Sequence, residues 1–500
     1  MSFNTLDFLL LFFATLVLYF LLPHKLRNPL LLISSYVFYA AYDLKLTAYL
    51  VITTLFAYVI GILIDRSREG KGAKVWMIIG VCANVLVLAF YKYFNFLSST
   101  AASFVKMKPI TLKWLVPLGI SFITFTVISY IVDVYRGKIK SEKNILKFAL
   151  FVSFFPKVVQ GPIERAGDIL PQFDVKHSFD LERFREGMLM AIYGLFMKMV
   201  VADTAAIIVN TIYGDLETYS GAAVLLATVL FSFQIYFDFA GYSYTAIGAA
   251  KVLGFDFSPN FCQPYMSLSV SEFWRRWHCS LNRWLTEYIY IPLGGSRCSK
   301  RERRFNVLVT FGISGLWHGA DWGYVIWGLL NGVYVNIENM IKGAREKRGK
   351  DVKKAPRTFI GRELKRILTF ILITFTWVFF RTEKLSFALA VFKRIFTHFR
   401  FVGFIKYVFT QLKAGPQNTL FGIDAFFGVW PFVLCFAAAI VVDVIAHRRS
   451  LASKKNIAAE LSTGRRWLRW GLSYIMIFAI IIFGIYGYGY NSSAFIYAGF

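Results

Sequence analysis

The segment "GLWHGADWG", residues 315–323, places a histidine and an aspartate in a chain that is otherwise largely apolar. A neutral imidazole is an effective proton acceptor near neutral pH, because the unperturbed pKa of histidine is about 6.5. His318 is therefore a candidate general base, and Trp317 and Asp321 are candidate substrate-binding residues beside it. The alternative is a structural histidine that is hydrogen-bonded to a neighbouring carbonyl.

A second polar cluster lies in the segment "EFWRRWHCSLNRWL", residues 272–285, and contains His278 as a second candidate for proton transfer. Arginine binds phosphate oxygens well, but charge alone does not identify a phosphorylated ligand here. The candidate binding residues, which fall on about three helical turns, are Glu272, Arg275, Arg276, Asn282 and Arg283. The alternative is an interfacial amphipathic helix with snorkelling arginines and an aromatic belt.

A third cluster, Gln234, Asp238 and Ser243, interrupts an apolar segment, and hydrogen bonding between helices is its simplest explanation. The common motifs of soluble enzymes, P-loop, HExxH and GxSxG, do not occur. His278 and His318 do not make a zinc site without further ligands, so no metal is predicted. The five cysteines form no CxxC pair.

Composition predicts an all-α, polytopic membrane protein. Of the 500 residues 57% are hydrophobic, and apolar runs such as "LDFLLLFFATLVLYFLL" (6–22) are long enough to cross a bilayer. The net charge of +27 suggests nucleic acid in a soluble protein. Here the basic residues gather beside apolar segments, which is the positive-inside pattern, and no nucleic acid partner is predicted.

Loop charge predicts the topology. If all basic segments face the cytoplasm, then Met1 and Phe500 lie outside. These basic segments are 23–28, 65–74, 136–144, 297–304, 341–357 and 447–455. The predicted spans are 7–22, 29–42, 45–64, 75–92, 115–135, 188–212, 222–250, 430–446 and 471–488. The first is interpreted as a retained span, because it lacks the basic start and the cleavage site of a signal peptide.

Several apolar segments do not fit simple crossings. Residues 148–165 and 265–293 are interrupted and read as re-entrant, which implies an internal chamber. Residues 305–337 read as a helical hairpin with "WHGADWG" at its apex, where Gly315, Gly319 and Gly323 permit the bend. Segment 384–412 is aromatic and basic and is expected to lie along a surface.

The whole chain, 1–500, is predicted to be one integral membrane domain. It is expected to contain N-terminal spans (1–145), a core with the re-entrant helices (146–340) and C-terminal spans and surface helices (341–500).

Two long motifs carry a family resemblance. "EFWRRWHCSLNRWLTEYIYIPLGGSR" (272–297) is followed by "GLWHGADWGYVIWGLLNG" (315–332), and "FPKVVQGPIER" (155–165) precedes both. Together they resemble the membrane-bound O-acyltransferase family, in the branch of the alginate O-acetyltransferase membrane subunit and the teichoic acid D-alanyl transfer protein. The resemblance implies a horseshoe of about 9–11 transmembrane helices, plus re-entrant helices, around a central funnel.

The resemblance also implies an activity. The family's catalytic histidine corresponds to His318 and its second histidine to His278. An acyl group is expected to pass from a cytoplasmic thioester, acetyl-coenzyme A, across a bacterial plasma membrane to an exported or cell-surface polysaccharide. An extracytoplasmic acyltransferase, SGNH-like or similar, is the expected partner protein. No bound cofactor is expected, since the thioester is a co-substrate.

Three alternatives remain open from the sequence. Transfer of D-alanyl from a carrier protein to teichoic acid uses the same family pattern. A polar-solute transporter would also contain re-entrant segments and buried ionisable residues, although no inverted repeat is visible. A scaffold that only docks an outer enzyme would leave both histidines without a function.

Overall fold

The computed structural model of the chain describes residues 1–348, 358–382, 384–413, 418–425, 427–453 and 466–486. Most of these residues are helical. The α-helices are α1 Leu6–Leu21, α2 His24–Ala40, α3 Leu44–Arg66, α4 Gly72–Leu88, α5 Phe94–Val105, α6 Ile120–Tyr135, α7 Ile145–Ser153, α8 Ala166–Ile169, α9 Leu181–Phe196, α10 Asp203–Gly214, α11 Gly221–Val252, α12 Val270–Arg276, α13 Cys279–Leu285, α14 Lys300–His318, α15 Trp322–Lys347, α16 Phe359–Arg381, α17 Leu385–Thr397, α18 Phe401–Lys413, α19 Val429–Ser453 and α20 Arg466–Phe483.

Short irregular helices and one small hairpin complete the described structure. The π-helical turns are Ala89–Tyr93, Met197–Ala202 and Thr286–Tyr290, and the 3-10 turns are Leu170–Asp174 and Pro264–Met266. Two antiparallel strands, β1 Thr419–Leu420 and β2 Ile423–Asp424, form the hairpin.

By length and composition, five helical segments in the described part of the chain can cross a bilayer. They are Leu44–Arg66, Gly72–Val105, Leu181–Gly214, Gly221–Val252 and Val429–Arg448. Shorter apolar helices cover Leu6–Leu21, Ile120–Tyr135 and Trp470–Phe483. The helical, multi-pass membrane fold is thus confirmed, whereas the total of about 9–11 crossings stays a prediction.

The chain divides into two compact units. The first contains Met1–Ala191 and Tyr242–Pro259, and the second contains Ile192–Gly241 and the described residues from Asn260 onward. In the first unit α3, α4 and α6 pack against one another, and α2 packs against α7. In the second unit α14 packs along α15, which also contacts α12 and α16. The single domain with boundaries at residues 145 and 340 stays a prediction.

Some predicted boundaries are wrong for simple physical reasons. The span expected at 115–135 begins only at Ile120, because Pro117 and Gly119, with φ at 67°, interrupt the backbone before it. The basic segments at 23–28 and 297–304 are partly helical, since α2 begins at His24 and α14 at Lys300. Lysine and arginine are good helix formers, so charge alone does not mark a loop. The C terminus at Phe500 lies outside the described residues.

The predicted hairpin at 305–337 is confirmed, as α14 and α15. A capping box opens α14: the Ser299 hydroxyl accepts from the backbone N–H of Glu302, whose carboxylate accepts from the backbone N–H of Ser299. The Asp321 carboxylate caps α15 by accepting from the backbone N–H of Gly323 at 2.7 Å. Only residues 319–321 separate the two helices, so His318 stands at the tip.

The glycines of this hairpin act differently from the prediction. Gly315, Gly319 and Gly323 are not among the residues with positive φ, so none of them supplies a left-handed bend. Instead, a Cβ at Gly315 would collide with the carbonyl oxygen of Tyr324, and one at Gly328 with that of Phe311. The glycines therefore allow the two helix backbones to touch.

The predicted interruptions at 148–165 and 265–293 are also present. Residues 154–165 follow α7 without regular helix and are buried throughout. Residues 265–293 are divided into α12, α13 and the π-turn Thr286–Tyr290. Segment 384–412 forms α17 and α18, which expose aromatic side chains such as Phe396.

We expect Gly328→Ala to destabilise the protein by about 1–3 kcal/mol, because the added methyl group forces α14 and α15 apart. The midpoint of thermal unfolding in detergent measures the effect. Gly312→Ala is the matched control on the same hairpin, since its Cβ meets Leu329 Cδ2 at an ordinary 3.5 Å. Equal midpoints for the two variants would contradict the close-packing role of Gly328.

Candidate active site

His278 and His318 lie side by side in the second unit. Their ring centroids are 6.5 Å apart, although 40 positions separate them along the chain. Both side chains are almost fully buried, with 2% and 1% of their surface exposed. The structure thus brings together the two histidines that the sequence singled out.

His318 is enclosed by aromatic rings from three helices. Its ring lies 4.8 Å from Trp317 in α14, 5.0 Å from Trp327 in α15 and 5.4 Å from Phe380 in α16, all in edge-on geometry. Trp317 also lies 5.9 Å from His278. These rings cover most of the imidazole, and a neutral imidazole in such surroundings is well suited to proton transfer with a bound substrate.

The backbone at His278 has an unusual conformation. The residue joins α12 to α13 with φ 45° and ψ 55°, the left-handed region that non-glycine residues rarely adopt. Its Nδ1 lies 2.9 Å from Oδ1 of Asn260, and its ring meets Phe239 edge-on at 4.7 Å. Left-handed residues of this kind cluster at functional sites.

Both histidines line one cavity, which occupies about 380 Å³ including its open mouth. The other lining residues are Trp274, Trp277, Leu281, Asn282, Leu285, Thr310, Phe311 and Ser314. The walls are mostly apolar and aromatic, with a few polar groups close to the histidines. This is the usual composition of a small-molecule site.

Asn331 orients one wall of this cavity. It is fully buried, its Oδ1 accepts from Trp274 Nε1 at 3.2 Å, and its Nδ2 donates to the Trp327 carbonyl at 2.8 Å. The sequence analysis missed Asn331 and Asn260. For Asn331 the available signal was an amide side chain within the otherwise apolar second half of the motif at 315–332.

The three candidate arginines occupy different environments. Arg275 is exposed. Arg276 pairs with Glu272 at 2.8 Å and donates to the Cys262 carbonyl and to His447 Nδ1, both at 3.2 Å. Arg276 and Glu272 therefore hold the chain around α12 together.

The remaining candidate side chains are also placed. Arg283 is half-exposed and pairs with Glu287 at 3.2 Å. Asn282 lines the cavity and donates to the Trp274 carbonyl at 2.6 Å. Asp321 caps α15. Within the described ranges, no group of three His, Cys, Asp or Glu side chains could hold a metal ion.

The third polar cluster contains an ion-pair network. Lys198 Nζ lies 2.7 Å from Oδ1 of Asp203 and 2.7 Å from Oδ1 of Asp238, and all three side chains are buried. Because an isolated charge is costly in an apolar interior, the Lys198 ammonium group stabilises both carboxylates and is stabilised by them. The sequence predicted a hydrogen bond between helices for Asp238, and the structure shows an ion pair with Lys198.

Comparison with known proteins gives a consistent picture. The model of the membrane-bound O-acyltransferase family matches residues 138–356, a range that contains both histidines. A Pseudomonas aeruginosa protein named probable alginate O-acetylase is 38% identical over 441 residues, which cover 86% of this chain and 82% of the relative. A peptidoglycan O-acetyltransferase of Helicobacter pylori is 34% identical over 406 residues, which cover 75% of this chain and 76% of the relative.

The similarity to a teichoic acid D-alanyltransferase of Bacillus subtilis is lower. It is 26% identical over 274 residues, which cover 53% of this chain and 68% of the relative. The two O-acetyl-transferring relatives therefore match this chain over a greater length and at higher identity.

We expect Arg276→Ala to lower the free energy of unfolding by about 1–3 kcal/mol, because it leaves the half-buried Glu272 carboxylate without its cation. Arg275→Ala is the matched control, and as an exposed substitution it is expected to stay within about 0.5 kcal/mol of the wild type. Thermal unfolding of the detergent-solubilised proteins measures both. Similar losses in the two variants would refute a structural role specific to Arg276.

Proposed function

The chain belongs to the membrane-bound O-acyltransferase family and is an O-acyltransferase, and from this premise we propose that it transfers acetyl groups to a polysaccharide. The donor is acetyl-coenzyme A on the cytoplasmic side, and the acceptor is an exported or cell-surface polymer. The observation that carries the proposal is the pair His278 and His318, side by side in one aromatic cavity. The names of the O-acetyl-transferring relatives support the choice of acetyl.

In the proposed chemistry His318 is the general base. The neutral imidazole takes the proton of the hydroxyl that accepts the acyl group. The oxygen of this hydroxyl then forms a bond to the carbonyl carbon of the thioester. The carbon–sulfur bond then breaks, and the imidazolium returns the proton to the departing sulfur. A thioester is a stronger acyl donor than the oxygen ester that forms, so the transfer needs no other energy source. His278 assists proton transfer beside it.

The charged residues around α12 and α13 have separate roles in this proposal. The exposed Arg275 and the half-exposed Arg283 bind the phosphates of the donor. Arg276 is held by Glu272 and maintains the local structure instead. Asn282 contacts the substrate in the cavity, Trp317 packs against both histidine rings, and Asp321 fixes the turn that follows His318.

The proposed location is the bacterial plasma membrane, with Met1 and Phe500 outside. The positive-inside distribution of lysine and arginine supports this orientation. The acyl group would leave the outer side of the protein, where an SGNH-like or similar acyltransferase completes transfer to the polymer. Transfer of D-alanyl from a carrier protein is the second candidate, with weaker support from sequence similarity.

We expect His318→Ala and the similarly sized His318→Gln to reduce O-acetylation of the surface polysaccharide to background. Loss of a general base lowers the rate by about 10²–10⁴-fold. Released acetate is measured from whole cells, and the membrane level of each variant is measured by immunoblot. His398→Ala, an exposed histidine at the end of α17, is the control that should leave acetylation unchanged. Wild-type acetylation in His318→Gln would show that the histidine is structural.

We expect Arg275→Ala to raise the KM for acetyl-coenzyme A several-fold with little change in kcat, since a phosphate contact contributes equally to ground-state and transition-state binding. Radiolabelled acetyl-coenzyme A and the protein in lipid vesicles provide the assay. If D-alanyl carrier protein is consumed and acetyl-coenzyme A is not, the second candidate function replaces the first.

A further inference from the structure

Asn260 is a buried residue that contacts the loop carrying His278. Only 1% of its surface is exposed. Its Oδ1 lies 2.9 Å from His278 Nδ1, 2.9 Å from Ser280 Oγ and 3.4 Å from the backbone nitrogen of Ser280. One side-chain oxygen therefore meets three polar groups of the segment that enters α13.

The backbone N–H of Ser280 shows which side-chain atom of Asn260 faces the loop at His278. A backbone N–H can only donate, so the Asn260 atom that faces it is the carbonyl oxygen and not the amide nitrogen. An oxygen acceptor requires a donor at His278 Nδ1. In a neutral imidazole one nitrogen carries the proton and the other carries the lone pair, so Nε2 of His278 is the basic atom.

The main chain of Asn260 fixes the same loop. Its carbonyl accepts from the backbone N–H of Cys279 at 2.9 Å, and two residues later the backbone N–H of Cys262 donates to the Arg276 carbonyl at 3.0 Å. These two bonds surround His278, which has the left-handed φ of 45°. A non-glycine residue in that region is strained and persists only when its surroundings determine its conformation.

From this geometry we infer that Asn260 is a positioning residue, which selects the Nδ1–H tautomer of His278 and presents its Nε2 as a proton acceptor. The inference deepens the proposed acyl transfer and rests on it. Hydrogen bonds that orient a metal-bound imidazole change activity by about 10–100-fold when they are removed, and we expect a loss of similar size here.

The groups recorded around His278 make a pH test interpretable. In the part of the chain that the structure describes, His318 from α14 faces it, and the rings of Phe239 from α11, Phe261 and Trp317 also contact it. Arg275 and Arg276 precede it on α12, where Arg275 is exposed and Arg276 pairs with Glu272. A carboxylate introduced at position 260 would thus be a new charge directly against the His278 ring.

The experiment compares Asn260→Ala with Asn260→Asp. Alanine removes the acceptor, so the tautomer is no longer selected, and kcat should fall about 10–100-fold at every pH with a smaller change in KM. Aspartate accepts the same bond but stabilises the protonated imidazole. The activity of Asn260→Asp should be low at neutral pH and recover as pH rises. The acidic limb of its pH–rate profile should therefore shift to higher pH.

Asn336→Ala is the matched control. Asn336 is a buried asparagine whose Nδ2 donates to the Arg304 carbonyl at 3.0 Å, so its loss removes a comparable hydrogen bond from α15. Its pH–rate profile should match that of the wild type. The variants are assayed in vesicles with radiolabelled acetyl-coenzyme A and normalised to the amount of folded protein.

The outcomes distinguish a failure of the proposed acyl transfer from a failure of the positioning role of Asn260. If the wild-type protein transfers no acetyl group, the proposed function fails whatever the variants do. If the wild type is active and Asn260→Ala keeps its kcat, or if Asn260→Asp loses activity without a shift of its pH–rate profile, Asn260 is structural and the positioning role is wrong.

Discussion

The direct contact between the backbones of α14 and α15 is the constraint on which the site depends. Gly315 and Gly328 have no side chain, so the two helices approach more closely than any other residue pair would permit. Because only residues 319–321 connect them, the tip of the hairpin is short and its geometry is fixed by capping at Asp321. His318 is the last residue of α14 and takes its position from that contact.

Aromatic packing sets the chemical environment at this tip. Trp327 stacks on Trp377 at 5.5 Å, and this pair stands behind His318 together with Phe380. These rigid rings leave few orientations for the imidazole. In the proposed acyl transfer, apolar walls around the histidines would limit hydrolysis of the thioester as well as orient the base.

Polar groups in the apolar interior are paired in specific ways. Lys198 neutralises part of the charge of Asp203 and Asp238, and Arg276 pairs with Glu272. Replacing one member of such a pair is more damaging than the strength of the pair suggests, because the remaining charge stays buried. Backbone polar atoms on both sides of His278 are also paired, since the Asn260 carbonyl accepts from the N–H of Cys279 and the N–H of Cys262 donates to the Arg276 carbonyl.

The sequence alone predicted the membrane class and the helical hairpin, and it singled out His278 and His318 as candidate residues. Hydrophobic segment length and glycine content are local properties, and the two histidines stand out because of the motifs around them. Only the tertiary structure showed that the two rings are neighbours, that Arg276 pairs with Glu272 while Arg275 is exposed, and that Asn260 Oδ1 lies against His278 Nδ1. Such contacts depend on the left-handed turn at His278 and on helices that meet across long stretches of sequence. Helical periodicity describes which residues share one face of a helix, but it does not specify which atoms face each other between separate segments.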